Sequence, residues 1–401
     1  MTLWPDPRRH ENSLLLCCSR VQADAATRER LAFLLTRKLD WQYVLWQAAW
    51  HRITVLLFRQ LQPLAAAVPP PVLAHLQEQA KRQTQQSLLQ TAGLLQLLPA
   101  LAAHGVIAVP FKGPALAAAV YGDPALRECE DLDVLVTPHA LPQAKAVLVR
   151  LGFRPLQPLN RAQEAVYLRY ESGSTFVQES TGLQVDLHWA FNRNYLAVPL
   201  ALADMLPRLQ PQVLAGIPLH QLAPEDLLLA LCVHGGKHQW LSLNWIIDVA
   251  ELLRTHPRLA WQDLAARARA TGCLRFVHLG LHLAHRLLAA PLPAALREQI
   301  AADRVVTQLA DHARHRLFPM MEEWDPGVAE RILFLLRARE RRRDQLRFLL
   351  RRLTTPTSSD LFYWQSPLLP APLYPWLRPA RLLFGIVGRG LKFLRPSPVA
   401  T

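Results

Sequence analysis

Long apolar runs are absent from this sequence of 401 residues, although half of its residues are hydrophobic. No stretch of eighteen residues is purely apolar, so the sequence predicts no transmembrane helix. The first residues also lack the order of a secretory signal, because the apolar stretch at positions 14–18 is too short to form one. We therefore expect a cytoplasmic protein of two or three domains.

Cysteine and lysine are both scarce. The five cysteines are odd in number and show no Cys-x-x-Cys spacing, which disfavours structural zinc and indicates a reducing compartment. Only six of the 45 basic residues are lysines, so the net charge of +14 comes mainly from arginine. This charge predicts attraction to polyanions such as nucleotides, RNA or anionic lipid. A GC-rich genome, which favours arginine codons, would produce the same composition.

Motifs of two other enzyme classes are incomplete. His234 and His238 are four residues apart, as in the helix of zinc proteases, but Gly235 replaces the required glutamate and no third ligand is evident. The glycines near the C-terminus are not preceded by a strand and followed by a helix, so they form no dinucleotide-binding fingerprint. The sequence thus disfavours a zinc protease and a dinucleotide-binding enzyme.

An Asp-x-Asp motif opens an apolar segment that reads as a strand. Side chains alternate between the faces of a strand, so Asp131 and Asp133 are expected to share one face. Adjacent carboxylates repel unless a cation neutralises them, and oxygen ligands of this kind suit Mg²⁺. Because solvated turns also contain Asp-x-Asp, the motif becomes informative only with further partners.

A third carboxylate follows about fifty residues later. Positions 175–179 and 183–189, with a turn at Thr181-Gly182, predict a β-hairpin that carries Asp186 and His188 on one face of its second strand. If this strand lies beside the Asp-x-Asp strand, three carboxylates converge. Such a cluster holds two Mg²⁺ ions, roughly 3.5–4 Å apart, in phosphoryl-transfer sites.

Basic residues precede the acidic motif. A strand at positions 107–111 leads to Lys112 and Gly113, and Pro114 starts a helix whose first backbone N–H groups favour an anion. Lys112 adds a positive charge there, unless it is an ordinary surface lysine. Arg127 could clamp a phosphate bidentately or only offset the charge of the aspartates.

Together these motifs resemble the nucleotidyltransferase superfamily that includes DNA polymerase β. The resemblance is closer to a bacterial family of uncharacterised nucleotidyltransferases, and the motif order is also similar to abortive-infection toxin nucleotidyltransferases. The matching residues are Lys112-Gly113, Arg127, Asp131-Leu132-Asp133 and Asp186-Leu187-His188-Trp189. Most of the superfamily carries Gly-Ser where this chain has Gly113-Pro114, so we expect Lys112 to replace the serine at the triphosphate.

The resemblance implies an α+β fold, with a nucleotidyltransferase-type mixed β-sheet core between N- and C-terminal α-helical regions. Apolar periodicity predicts helices over residues 10–105, one of them spanning 39–61, and a basic amphipathic helix over 331–353. The expected divisions are an N-terminal helical region at 1–95, the α/β core at 96–215, a C-terminal helical domain at 216–353, and a basic tail rich in proline and aromatics at 354–401.

The resemblance also implies a reaction: Mg²⁺-dependent transfer of a nucleoside monophosphate from an NTP, with release of pyrophosphate. The acceptor is unknown, and a sugar phosphate, RNA, a peptide or a protein all remain open. Asp131, Asp133 and Asp186 would be the catalytic metal ligands for two Mg²⁺ ions, and Lys112, the Gly113 backbone and Arg127 would offset the charge of the NTP. The alternative is a catalytically degenerate protein that binds a nucleotide or RNA as a regulator.

Two further groups have competing interpretations. His188 either contacts the nucleotide or acceptor or is a structural histidine. The family resemblance includes a His…Trp…Asp element, which would line the cleft from the helical side or belong to the core. Its members are His234, Lys237, His238, Trp240 and Asp248, with Lys237 a candidate ligand of the triphosphate.

The C-terminal part is unusually basic. Residues 331–353 contain nine arginines and only two acidic residues, with leucines along one side. Such a helix can lie on an anionic membrane or on RNA, and residues 331–401 are therefore candidates for that contact at the inner face of the membrane. The alternative is a solvated helix packed on its own domain.

Overall fold

The computed structural model describes residues 10–319 and 327–357, together with positions 360, 376, 378, 379 and 381. Helices dominate on both sides of a small sheet. The α-helices in this part of the chain are α1 (His10–Cys18), α2 (Ala25–Leu35), α3 (Trp41–Trp50), α4 (Thr54–Leu61), α5 (Pro70–Ala103), α6 (Gly113–Leu116), α7 (Leu141–Arg150), α8 (Arg161–Tyr170), α9 (Pro224–Lys237), α10 (Leu243–Thr255), α11 (Trp261–Thr271), α12 (Leu274–Leu288), α13 (Ala294–Ala302), α14 (Arg304–Leu317), α15 (Gly327–Arg337) and α16 (Arg342–Thr354).

The sheet has five strands in the order β1-β2-β5-β4-β3. Only the central pair, β2 and β5, is parallel, and each remaining pair is antiparallel. A separate hairpin of two strands follows. The strands are β1 (Ala108–Pro110), β2 (Leu132–Val136), β3 (Phe153–Pro155), β4 (Gly173–Gln178), β5 (Gln184–His188), β6 (Gln210–Leu214) and β7 (Ile217–Gln221).

This architecture confirms the expected α+β class with a mixed sheet and flanking helices. The hairpin predicted around Thr181-Gly182 is present as β4 and β5. β2 is buried along its whole length, as expected for a central strand covered on both faces. The functional consequence is that β5 lies directly beside the strand that carries the Asp-x-Asp motif.

Helix α5 joins two hydrophobic cores. Leu76 and Ala80, near its start, pack into the large core formed by the N- and C-terminal helices. Leu94 and Leu101, near its end, pack into the core beneath the sheet. The expected division at residue 95 falls within this continuous helix, and the four-part division of the chain remains a prediction.

Two predicted helices are each split in the structure. The stretch 39–61 forms α3 and α4, because the chain turns at Arg52 with a left-handed φ of 56°. The stretch 331–353 forms α15 and α16, separated by residues 338–341. At that break the Arg339 guanidinium is buried, lies 4.1 Å from the Phe348 ring centroid, and donates to the carbonyl of Leu196. Tertiary contacts thus override the local periodicity.

The expected basic tail lies largely outside the described residues, which beyond 357 are limited to positions 360, 376, 378, 379 and 381. Within the described chain, no helix combines the length and apolar character needed to cross a membrane. All five cysteines are buried and free.

Candidate active site

The parallel pairing of β2 and β5 brings two carboxylates together. Asp133 is the register partner of Asp186, and Leu135 is the partner of His188. Ligand atoms of Asp133, Asp186 and His188 all lie within 4.8 Å of one another, and no other three metal-binding side chains in the described chain meet this closely. The alternation along β5 that placed Asp186 and His188 on one face is therefore correct. Carboxylates and an imidazole at this separation fit a divalent cation.

Asp133 is the centre of this cluster. Its Oδ1 accepts a hydrogen bond from Nε2 of His188 at 2.8 Å and lies 3.4 Å from Nζ of Lys112. Burial favours the neutral acid, but the charge of Lys112 and the hydrogen bond from His188 hold the pKa of Asp133 well below its usual range. Asp133 is therefore a permanent anion at neutral pH, as a metal ligand must be.

Asp131 is close to this cluster but is not part of its three closest ligands. β2 begins only at Leu132, so Asp131 precedes the strand, and the strand geometry that predicted a shared face does not apply to it. It nevertheless lines the same cleft as Asp133 and Asp186. Burial, together with the negative charges of those two aspartates, raises the pKa of Asp131 to about 6. Its role as a metal ligand stays a prediction.

The Lys112-Gly113 turn lies directly against the acidic cluster. Gly113 begins α6 with a left-handed φ of 60°, which a residue with a side chain rarely adopts. A Cβ at that position would lie 3.5 Å from the Asp131 carbonyl, so the turn packs on the start of β2. Nζ of Lys112 lies 4.9 Å from the ring centroid of Phe111, whose edge also meets His188. Phe111 thereby packs against both polar groups that contact Asp133.

Strand β4 supports the ligands from the other side. Oγ1 of Thr175 donates to Oδ1 of Asp186 at 2.6 Å. A Cβ on Gly173 would lie only 2.6 Å from Nδ1 of His188, so this glycine makes room for the imidazole. The sequence analysis missed both residues. Their signal is the hairpin register, which pairs Thr175 with Asp186 and Gly173 with His188.

Arg127 is occupied by a different carboxylate. Its Nε and one terminal nitrogen donate to the two oxygens of Asp248 at 2.7 and 2.9 Å, and the hydroxyl of Tyr121 donates to the same carboxylate at 2.7 Å. All three side chains are buried. Burial opposes the charge of Arg127, but Asp248 holds the pKa of the guanidinium above its usual range. The bidentate fork expected for a phosphate is thus engaged with α10, and contact with the NTP remains a prediction for this residue.

The helical wall of the cleft comes from α9 and α10. Lys237, His234, His238 and Trp245 line the cleft, and burial together with the nearby Lys112 lowers the pKa of Lys237 to about 7. The cleft-lining interpretation is wrong for Trp240, which is fully buried. A Cβ at Gly235 would lie 2.4 Å from its ring. The glycine that replaces the zinc-protease glutamate is therefore needed to accommodate a core tryptophan.

The cleft between these two walls has a volume of about 810 Å³. One wall carries the carboxylates and His188, and the other carries Lys237 and the aromatic rings of α9 and α10. A cavity of this size accommodates a small-molecule ligand. Adjacent sites for a cation and for a polyanion are the chemistry that a metal-bound triphosphate requires.

Comparison with known proteins places this geometry in context. The family model described as "uncharacterised nucleotidyltransferase" matches residues 37–289, which include both walls of the cleft. None of the curated proteins matches the chain. The match covers more than half of the sequence and contains every predicted site residue from Lys112 to Lys237. The chain therefore belongs to the family of uncharacterised nucleotidyltransferases.

Proposed function

We propose that this protein is a Mg²⁺-dependent nucleotidyltransferase of the DNA polymerase β type, which transfers a nucleoside monophosphate from an NTP to an acceptor. The observation that carries the proposal is the register pairing of Asp133 with Asp186 on adjacent parallel strands, with His188 inside the same 4.8 Å cluster. Three potential ligands in a cleft that also contains Lys112 and Lys237 are expected for a metal–triphosphate site and are costly otherwise.

The donor set fits the metal. Asp133 and Asp186 offer hard oxygen ligands for Mg²⁺, and Asp131, which lines the same cleft, would help to hold a second ion. When bound, Mg²⁺ supplies positive charge to the triphosphate oxygens. Lys112 now lies beside Asp133, and it would turn to the phosphates once a cation neutralises that carboxylate. Lys237 lines the same cleft, where it would bind the leaving pyrophosphate.

The proposed transfer exchanges one bond at the α-phosphorus of the NTP for another. The acceptor oxygen forms a bond to the α-phosphorus, the bond from the α-phosphorus to the α–β bridging oxygen breaks, and pyrophosphate leaves with that electron pair. The acceptor proton passes to a carboxylate oxygen of Asp186, whose Oδ1 is already oriented by Thr175. Lys112 and Lys237 offset the charge that develops on the departing pyrophosphate.

The test is incorporation of label from α-labelled NTPs, with Mg²⁺ and cell extract as the source of acceptor. Wild-type protein should label an acceptor, whereas Asp133→Asn should not. Asp263→Asn is the matched control, because Asp263 is an exposed aspartate on α11. Undiminished labelling by the Asp133 variant would overturn the assignment. Nucleotide binding without pyrophosphate release would instead favour the catalytically degenerate regulator.

A second proposal concerns the cytoplasmic face of the membrane as the site of action. Leu346, Leu349, Leu350 and Leu353 form one side of α16, and each is between 39% and 58% exposed. This spacing puts them on a single helix face. Exposed arginines lie beside them at positions 342, 343, 347 and 351. Exposed leucines bordered by arginine favour an anionic lipid surface over a purely solvated helix.

Vesicle flotation tests the membrane proposal. Wild-type protein should float with vesicles containing anionic phosphatidylglycerol and not with neutral phosphatidylcholine. The double variant Leu349→Gln, Leu350→Gln should float less, while Leu88→Gln should float like wild type, because Leu88 is 65% exposed on a different helix, α5. Failure to float on either vesicle, with retention of labelled RNA in a filter assay, would replace the membrane by RNA as the partner.

A further inference from the structure

The helical wall of the cleft carries a stack of aromatic rings with no role in the transfer described above. The rings of His238 and Trp245 are stacked, with centroids 5.0 Å apart and planes inclined by 29°. His234 meets His238 at 4.9 Å and presents its edge to Trp245 at 5.6 Å. All three side chains line the cleft that contains the carboxylates. His238 is exposed and Trp245 is half-buried, so the stack is open to the cleft.

The backbone is shaped to hold this arrangement. The two residues after His238, Gln239 and Trp240, both have left-handed φ values, of 57° and 58°. Each such residue costs roughly 1–3 kcal/mol and persists only where other contacts stabilise it. Here Trp240 enters the core between Gly235 and Gly280, while His238 stays on the cleft surface. The turn therefore separates a core tryptophan from an exposed imidazole two residues earlier.

The charges around the rings fit a neutral, flat ligand attached to a polyanion. Burial lowers the pKa of His234 well below its usual range, and the nearby Lys112 and Lys237 lower it further, so this ring is uncharged at neutral pH. Lys237 follows His234 on the same helix, and the negative charge of Asp133 acts to raise the pKa of Lys237 against the larger effect of burial. The lysines thus lie near both the aromatic stack and the acidic cluster, where the phosphates of a nucleotide would be.

We propose that His238 and Trp245 form the nucleobase subsite of this cleft, on which the base of the NTP stacks while its phosphates lie at Lys237, Lys112 and the carboxylates. This proposal rests on the proposed function, because it assumes that an NTP occupies the cleft. Every base has a π-face, so stacking alone binds purines and pyrimidines. We expect purines to bind more tightly, because their larger ring covers more of the stack.

Calorimetry with three ligands separates the subsite from the triphosphate site. ATP, CTP and inorganic tripolyphosphate are titrated, each with Mg²⁺, into wild type, His238→Ala and Trp245→Leu. Loss of base stacking should weaken ATP binding by roughly 5- to 150-fold and leave tripolyphosphate binding unchanged. Trp245→Phe should restore most of the ATP affinity, because a phenyl ring also stacks. His220→Ala is the control, since His220 is an exposed histidine on β7, outside the cleft.

The outcomes distinguish the two proposals. Unchanged ATP affinity in both variants, with active wild-type protein, would overturn the base subsite and leave the transferase intact. Equal weakening of ATP and tripolyphosphate would also overturn it, because the rings would then act on the phosphate end. If wild type binds neither ATP nor tripolyphosphate, the proposed function fails and the subsite fails with it.

Discussion

The acidic side chains at the centre of the sheet and on α10 have opposite surroundings. Asp248 receives two hydrogen bonds from Arg127 and one from Tyr121, and all of these groups are buried. Asp133 and Asp186 instead lie beside each other, with Lys112 at 3.4 Å as the nearest full positive charge. The charge of Asp248 is balanced by Arg127, whereas the site of Asp133 and Asp186 keeps an excess of negative charge.

This difference indicates different roles for the two sites, one structural and one in binding a cation. A buried carboxylate whose bonds are all satisfied within the protein joins parts of the fold, and Asp248 ties the Asp-x-Asp loop to the C-terminal helices. Two carboxylates as close as Asp133 and Asp186, of which Asp133 is paired with Lys112, repel each other until a cation arrives. The raised pKa of Asp131, about 6, is a direct consequence of that crowding and of burial. We therefore propose the chemistry for the second site and a structural role for the first.

The largest effect is expected from Asp186→Asn, which should lower the rate of nucleotidyl transfer on the order of 10³-fold or more, because a ligand of the metal loses its charge. Its melting temperature should stay near that of wild type, since the amide oxygen still accepts from Thr175. Incorporation assays and thermal unfolding measure the two properties, and chelation by EDTA should abolish wild-type activity. A melting temperature that falls as it does in an Asp248 variant would contradict the comparison.

Next in size is Asp248→Ala, which should cost about 3–5 kcal/mol of unfolding free energy by leaving Arg127 buried and unpaired. Chemical denaturation measures this loss. The double variant Arg127→Met, Asp248→Leu is the control, and it should be more stable than Asp248→Ala, because neither charge is left alone. If Asp248→Ala unfolds like wild type but fails to bind ATP, Arg127 and Asp248 belong to the site instead of the fold.

A smaller loss of unfolding free energy, about 1–3 kcal/mol, is expected for Gly173→Ala. The new Cβ would lie only 2.6 Å from Nδ1 of His188 and would push the imidazole ring away. Binding of Mn²⁺, measured by calorimetry, should weaken as well. Adding His188→Ala should restore stability without restoring Mn²⁺ binding. Equal Mn²⁺ affinity in wild type and Gly173→Ala would remove His188 from the metal cluster.

The smallest effect concerns Lys237, whose pKa is lowered to about 7 by burial and by Lys112. The native state releases this proton above pH 7, whereas the unfolded chain keeps it until about pH 10.4. Wild type should therefore gain stability relative to Lys237→Met as pH rises from 7 to 10, and the variant should be the more stable protein at pH 6. Denaturation at several pH values gives the difference. A constant offset across this range would show that Lys237 titrates normally.

Much of the acidic side of the site follows from local patterns. Alternation along β5 placed Asp186 and His188 on one face, and the hairpin turn predicted the position of the strand that carries them. Asp131 shows the limit of the same rule, since one residue of difference in where β2 begins removes it from the strand. The helical wall was harder, because the periodicity of an apolar helix does not say which tryptophan faces the core. Trp240 is buried and Trp245 lines the cleft.

The sequence by itself determined the class of the fold and the composition of the candidate site: an acidic strand motif, a Lys-Gly turn before it and an Asp-x-His strand after it. Only the tertiary structure decided which of these residues meet. In the tertiary structure Asp133 lies beside Asp186, Arg127 forms a buried salt bridge with Asp248, and one predicted C-terminal helix is divided into two. The physical reason is that alternation and turns act between neighbouring residues, whereas strand register and buried ion pairs join segments more than fifty residues apart.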